Sequence, residues 1–182
     1  MRNQKLVVVA GGTGSGKTTL CSKVKEVLGD KLCLISLDNY FYRDADSNNR
    51  PDSIDIERLL RHLDLLTSGK AVSWRSRNYE PSPITLVEGH LALTFPRLVE
   101  DLDLSIFVDL DAEERTLRRL ERNMAEGREF EEITDWYRGD VKENHWRYIE
   151  PTKKKADLIM WGEINSRRVQ VLANILNGLI SG

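Results

Sequence analysis

Residues 10–20 read AGGTGSGKTTL, from Ala10 to Leu20, and this stretch decides the fold. Four glycines, then a lysine and two threonines, follow the continuous apolar run Leu6 to Ala10, which reads as a strand covered on both faces. Lys17 to Leu28 reads as a helix, so the stretch is a strand, a glycine-rich loop and a helix in series. Gly11, Gly16, Lys17 and Thr18 match the spacing G-x-x-x-x-G-K-[ST]. Glycine lets backbone amides approach a phosphate, lysine supplies charge to its outer oxygens, and a hydroxyl serves magnesium. The helix start adds free amides and the positive end of its dipole. Gly11, Gly12, Thr13, Gly14, Ser15, Gly16, Lys17, Thr18 and Thr19 are therefore the candidate contacts for a nucleoside triphosphate, ATP or GTP, with Mg2+. Whether the phosphate passes to water, to a protein or to a small molecule is not written in this loop.

Outward from it, apolar runs recur at Leu32 to Leu37, Ile84 to Val87, Leu104 to Leu110 and Leu158 to Trp161. Helical patterns fall around Ile54 to Leu66, Glu113 to Met124, Glu131 to Tyr148 and Ser166 to Ile180. Such alternation predicts an α/β fold with a mainly parallel sheet and helices on both faces. The stretches Tyr42 to Asp52 and Ser73 to Pro83 read as loops near the strands' C-terminal edge, where open α/β sheets bind ligands. At 182 residues the chain fits one domain, 1–182. Its 27 Lys+Arg against 29 Asp+Glu give a net charge of -2, with no overall field for nucleic acid or an anionic membrane. The short N-terminal apolar run matches neither a signal peptide nor a membrane span, so the expectation is cytoplasmic. Cys21 and Cys33 read as buried thiols rather than a disulfide or metal site.

Two carboxylates emerge at strand ends: Asp38 after LISLD and Glu88 after ITLVE. Asp38 is assigned as the base for an acceptor hydroxyl and Glu88, with Thr18, to the magnesium side. In ERTLRRLERNMAEGREF, Arg115, Arg118, Arg119 and Arg122 recur at helical spacing before Gly127 and Arg128. An arginine-rich lid over about 115–130 is expected to close on the triphosphate, through Arg119, Arg122 and Arg128. Arg115 and Arg118 are read instead as partners of Glu113, Glu114, Glu121 and Glu126 on a solvated face.

Together these motifs resemble the uridine kinase family of P-loop kinases, related to phosphoribulokinase and pantothenate kinase. GGTGSGKTT is similar to its phosphate loop, ISLDNYFY to its aspartate segment with aromatics, RPDSID to its Pro-Asp turn and LVEGHLAL to its Glu-Gly strand end. FVDLDAEERTLRRLERNMAEGR and YIEPTKKKADLIMWG resemble its lid approach and its basic Pro-Thr stretch. The resemblance implies a doubly wound, five-stranded parallel sheet of the P-loop NTPase type. It implies transfer of the γ phosphate to the 5'-hydroxyl of a pyrimidine nucleoside, with Asp38 as the catalytic aspartate and Lys17 and Thr18 carried over directly; Arg122, from the arginine spacing, is the further catalytic candidate. On the acceptor side the resemblance implies Asp52, Tyr79 and Arg128 beside Asp38, and the reading of the residues adds Tyr40, Glu88, His90 and Trp136 as candidates; the family's habit of assembling makes a homo-oligomer an expectation.

Departures cluster where the acceptor should bind. SWRSRNYEPSP replaces the family's Pro-x-Tyr-Asp-Phe segment, leaving Tyr79 as the match. Glu126-Gly127-Arg128 stands for Arg-Gly-Arg, and Trp136 stands for a glutamine. A pocket lined by Trp74, Tyr79, His90 and Trp136 and a changed acceptor follow as expectations. The alternatives are a kinase for another riboside or a pantothenate-like vitamin precursor, or a nucleotide-binding regulator.

Overall fold

The computed structural model describes residues 4–181. Among the described residues seven strands form: β1 (Lys5–Ala10), β2 (Leu32–Ser36), β3 (Val72–Trp74), β4 (Arg77–Tyr79), β5 (Ile84–Glu88), β6 (Leu104–Asp109) and β7 (Leu158–Trp161). The helices are α1 (Lys17–Leu28), α2 (Ile56–Thr67), α3 (Pro96–Val99), α4 (Ala112–Ala125), α5 (Phe130–Trp136), α6 (Lys142–Asn144) and α7 (Ser166–Ser181). Five strands make one sheet in the order β2-β5-β1-β6-β7, every pair parallel. The central strand β1 is buried on both sides, which is why Val7, Val8 and Val9 run without alternation.

Each face of the sheet has its own core. On one, Leu20, Val24 and Leu28 of α1 meet Val169, Leu172 and Leu176 of α7 over Val7 and Val9. On the other, Leu59, Leu63 and Leu66 of α2 pack with Leu91, Leu93 and Leu98 over Val8 and Ile35. Each such side chain contributes about 1.5–3 kcal/mol by leaving water. The helix α2 starts where Asp55 accepts the amide of Arg58 at 3.0 Å, two residues later than its apolar pattern suggests.

One expectation is corrected: Ser73 to Pro83 is not wholly loop, because β3 and β4 pair as an antiparallel hairpin with Val72 opposite Tyr79. The helical stretch expected over Glu131 to Tyr148 is present and uninterrupted, but it widens into two π-type segments, Tyr137–Val141 and His145–Ile149, flanking α6. Among the described residues no helix is long and apolar enough to cross a membrane. With all five strands parallel, the residues following Ala10, Ser36, Glu88 and Asp109 leave the sheet at one edge, and the functional candidates collect there.

Candidate active site

A cleft of about 740 Å3 opens at that edge. Thr13, Gly14, Gly16, Lys17, Thr18 and Thr19 line it. Gly14 sits at φ 78, and a Cβ there would lie 2.5 Å from the carbonyl oxygen of Arg115. Gly16 at φ 90 turns the chain into α1. Behind these, Gly11, Gly12 and Ser15 are buried. The Ser15 hydroxyl is buried without a hydrogen-bond partner, and the first amides of α1 have none within the helix. Unused donors around a glycine cradle suit a phosphate, so the residues fit a nucleotide's phosphates.

Register explains the neighbouring carboxylate. Glu88 lies level with Val9 of β1 and Ser36 of β2, one residue short of the loop. It is buried at 3% exposure, and Thr18 Oγ1 donates to its Oε2 at 3.1 Å. This hydroxyl and carboxylate are hard oxygen donors of the kind magnesium takes. Among the described residues no cluster of three His, Cys, Asp or Glu could hold a metal; Thr18 and Glu88 would therefore hold a magnesium ion only in part.

Also lining the cleft are Asp38, on the turn Leu37–Tyr40, and His90, two residues past Glu88. His90 stacks on Phe41 with ring centroids 6.0 Å apart, and its Nε2 meets the Asn48 carbonyl at 2.9 Å. Burial, then the Lys17 ammonium, pushes its pKa down to about 4, so the ring is neutral near pH 7. The loop 42–49 walls the cleft too. Its Ser47 and Asn49 donate to Asp140, in the π turn beyond α5.

The third wall comes from α4 and α5. Arg119 Nη1 donates to Thr13 Oγ1 at 3.1 Å, and Arg122 is exposed on the cleft. Arg128 pairs with Glu132, and Trp136 lines the cleft beside it. Arg118 also reaches the cleft while pairing with Glu114 and Glu163. The lining holds seven cations, with Arg43 and Arg75 added, against Asp38 and Asp46. In a chain of net charge -2, that concentration marks the cleft as the place for an anion of several charges.

The cleft does not gather every expected residue. Tyr40 is fully buried, its hydroxyl 2.9 Å from His62 Nδ1. Tyr79 is 5% exposed and accepts from Asn39 at 3.1 Å, and Trp74 donates to the Asn39 carbonyl at 2.9 Å. The hairpin's aromatics thus grip the turn that carries Asp38 from behind. Asp52 does not line the cleft itself; it is exposed in an adjoining groove of about 350 Å3 with Asp44 and Arg50, which shares Tyr42, Ala45, Asp46 and Ser47 with the cleft. Arg115 is not on a solvated face: it is 7% exposed, donates to the Leu110 carbonyl and lies 3.2 Å from His145 Nε2. Its guanidinium fills the space where a side chain at Gly12 would stand. Sequence reading missed Arg43, Arg75, Asn48 and Asp140, which sit in loops and turns without periodicity.

The pattern of the Phosphoribulokinase / Uridine kinase family matches residues 6–163. A uridine kinase of Halobacterium salinarum is 37% identical over 90% of this chain and 83% of its own length. One from Macrococcus caseolyticus is 34% identical over 99% of both chains. Among solved structures, a "putative fructose transport system kinase" from Silicibacter sp. TM1040 superposes with a TM-score of 0.72 at 20% identity, covering 86% of this chain and 89% of that one. A shikimate kinase from Bacteroides thetaiotaomicron gives 0.55 at 15% identity, over 98% and 99%. These two likenesses show the fold, and the sequence matches show the rest: the chain belongs to the phosphoribulokinase/uridine kinase family and is a P-loop phosphotransferase acting on a hydroxyl group.

Proposed function

We propose that the protein transfers the γ phosphate of ATP or GTP, with Mg2+, to a nucleoside-like hydroxyl, the 5'-hydroxyl of uridine or cytidine first among candidates. The observation that carries this reading is one cleft lined by the phosphate loop, Thr18 with its partner Glu88, Asp38 and His90 together. The names of the sequence relatives support the pyrimidine nucleoside.

In this reading Lys17, Arg119 and Arg122 hold the triphosphate and neutralise charge that spreads to its outer oxygens. Thr18 and Glu88 would hold magnesium, directly or through water, and the ion would supply positive charge to offset that of the phosphates. Asp38 accepts the acceptor hydroxyl's proton as the new oxygen–phosphorus bond forms. The bond from the γ phosphorus to the β–γ bridging oxygen breaks, and the electron pair leaves with ADP. The loop 42–49 and His90 enclose the acceptor.

A second reading, a kinase for another hydroxyl metabolite, is favoured by one observation. Tyr79, the hairpin residue matched to the acceptor, is turned into the core, and Arg75 of the same hairpin faces the cleft. The deciding experiment is ADP release with Mg-ATP across uridine, cytidine, other ribosides and pantothenate, with product mass confirmed. Release driven by uridine or cytidine supports the first reading, and release driven only by another compound replaces it with the second. ADP at the blank rate with every acceptor removes both.

A further inference from the structure

The indole of Trp136 has company on the lid. The guanidinium carbon of Arg119 stands 4.7 Å from its ring centroid and that of Arg128 5.3 Å. Arg119 also reaches Thr13 in the phosphate loop, while its Nε is buried without a partner. A second contact holds the indole's helix in place: Thr116 Oγ1 and Tyr137 OH, the residue after Trp136, lie 2.8 Å apart.

An arginine meant for a phosphate has to be ordered without being neutralised. A carboxylate orders it but occupies its N–H donors and cancels its charge. An aromatic ring orders it through the guanidinium's flat face, leaving the donors, which lie in the plane, free. With two guanidiniums within stacking range, little of this ring is left for a base to lie on. We infer that Trp136 is a positioning residue for the donor's phosphates, acting through Arg119, and not a plate for the acceptor's ring; Arg128, which also lies over the indole, is already held by Glu132. The inference rests on a triphosphate bound at the phosphate loop, as in the proposed function, and is independent of which acceptor is used.

The test compares Trp136→Ala, Trp136→Phe and the wild type. Affinity for Mg-ATP is measured without acceptor, and kcat and acceptor KM with whichever acceptor gives turnover. Trp136→Ala is expected to weaken ATP binding about tenfold and to lower kcat, with acceptor KM changed less than about twofold, since stacking of this kind corresponds to roughly a tenfold change. Trp136→Phe, which keeps a ring face, should restore most of the loss. In an Arg119→Ala background the same Trp136→Ala change should weaken ATP binding far less than in the wild type. Should Trp136→Ala not fold, Trp136→Leu keeps apolar volume without the ring face and carries the same expectation. A raised acceptor KM with unchanged ATP affinity would overturn the inference in favour of the plate; unchanged constants throughout, or fully additive losses with Arg119→Ala, would overturn it too. The ATP arm needs no acceptor, so failure to find a substrate, which counts against the proposed function, leaves this test standing.

Discussion

Ser47 and Asp140 are joined across the mouth of the cleft: the serine hydroxyl donates to both carboxylate oxygens, at 2.7 and 2.9 Å. Asn49 and Asn144 add side-chain bonds of 2.7 Å each to the same carboxylate. One acidic side chain thereby ties the loop that walls the cleft to the π turn beyond Trp136. Asp140→Ala is expected to free that loop, raising acceptor KM about five- to tenfold while ATP affinity stays within about twofold. Steady-state kinetics beside ATP titration checks this, and a loss confined to ATP would refute it.

Asp38→Asn is expected to keep nucleotide binding and to lower kcat by about 10²–10⁴, the usual weight of a positioned base. The side chain lies on the cleft with its turn gripped by Trp74 and Tyr79, so the amide should occupy the same place. Turnover near the wild-type rate would take Asp38 out of the base role.

Lys17→Ala removes the loop's cation and should weaken both triphosphate binding and kcat, by at least tenfold each. Calorimetric titration with Mg-ATP gives the first and initial rates the second; wild-type affinity would mean that the triphosphate binds elsewhere.

Gly14→Ala should do similar damage by a different route. Its φ of 78 strains any side chain, by about 1–3 kcal/mol, and the new methyl would press on the Arg115 carbonyl. Gly29→Ala is the control: φ is 55 there, yet nothing lies within 4 Å of a Cβ. It should cost a similar backbone strain, about 1–3 kcal/mol of stability, and leave nucleotide affinity alone. Equal loss of affinity in both would contradict the specific contact.

Stability should fall on the acid side through His145. The ring is 5% exposed, and burial, then the Arg115 guanidinium, pushes its pKa down to about 4, against the upward pull of Glu150 and Asp109. The unfolded chain therefore takes up the proton first, near pH 6.5. The contribution is complete above that value and is lost as pH falls through about 4. Between pH 7 and 5 this residue alone accounts for about 1–2 kcal/mol. His90 shifts in the same direction, so the observed slope should exceed that of one residue. Urea unfolding at a series of pH values reads the slope, and His145→Gln should flatten part of it.

The phosphate loop, the five parallel strands and the arginine-bearing α4 were legible because each rests on a local signal: a fixed spacing, a continuous apolar run, a helical repeat. What stayed hidden depends on contacts between distant segments. Tyr40 and Tyr79 sit next to informative motifs, but no period tells which way a lone aromatic points, and both turned toward Asn39, His62 and the core. The hairpin β3–β4 carries one β-branched residue, Val72, and a tight turn at Arg75 and Ser76 with φ 47 and 61, so its residues read as loop. Arg115 shares the spacing of Arg118, Arg119 and Arg122, and contacts from distant segments, the phosphate loop and His145, bury it. The Asp140 tie joins residues far apart in the chain, beyond the reach of any local pattern.

Arg115 also decides where the lid can bend. Its carbonyl abuts Gly14 and its guanidinium is wedged between Gly12 and His145, so the first turn of α4 moves with the phosphate loop or not at all. The fulcrum of any opening would then lie beyond Arg115, with the cations of α4 on arms of unequal length. At 1.5 Å per residue, Arg119 is about 6 Å out and Arg122 about 10 Å. In the proposed function a small rotation would move Arg119 less than Arg122. Spent nucleotide is thus expected to lose its Arg122 contact first and its Arg119 contact last, a sequence of release written into the geometry of one helix.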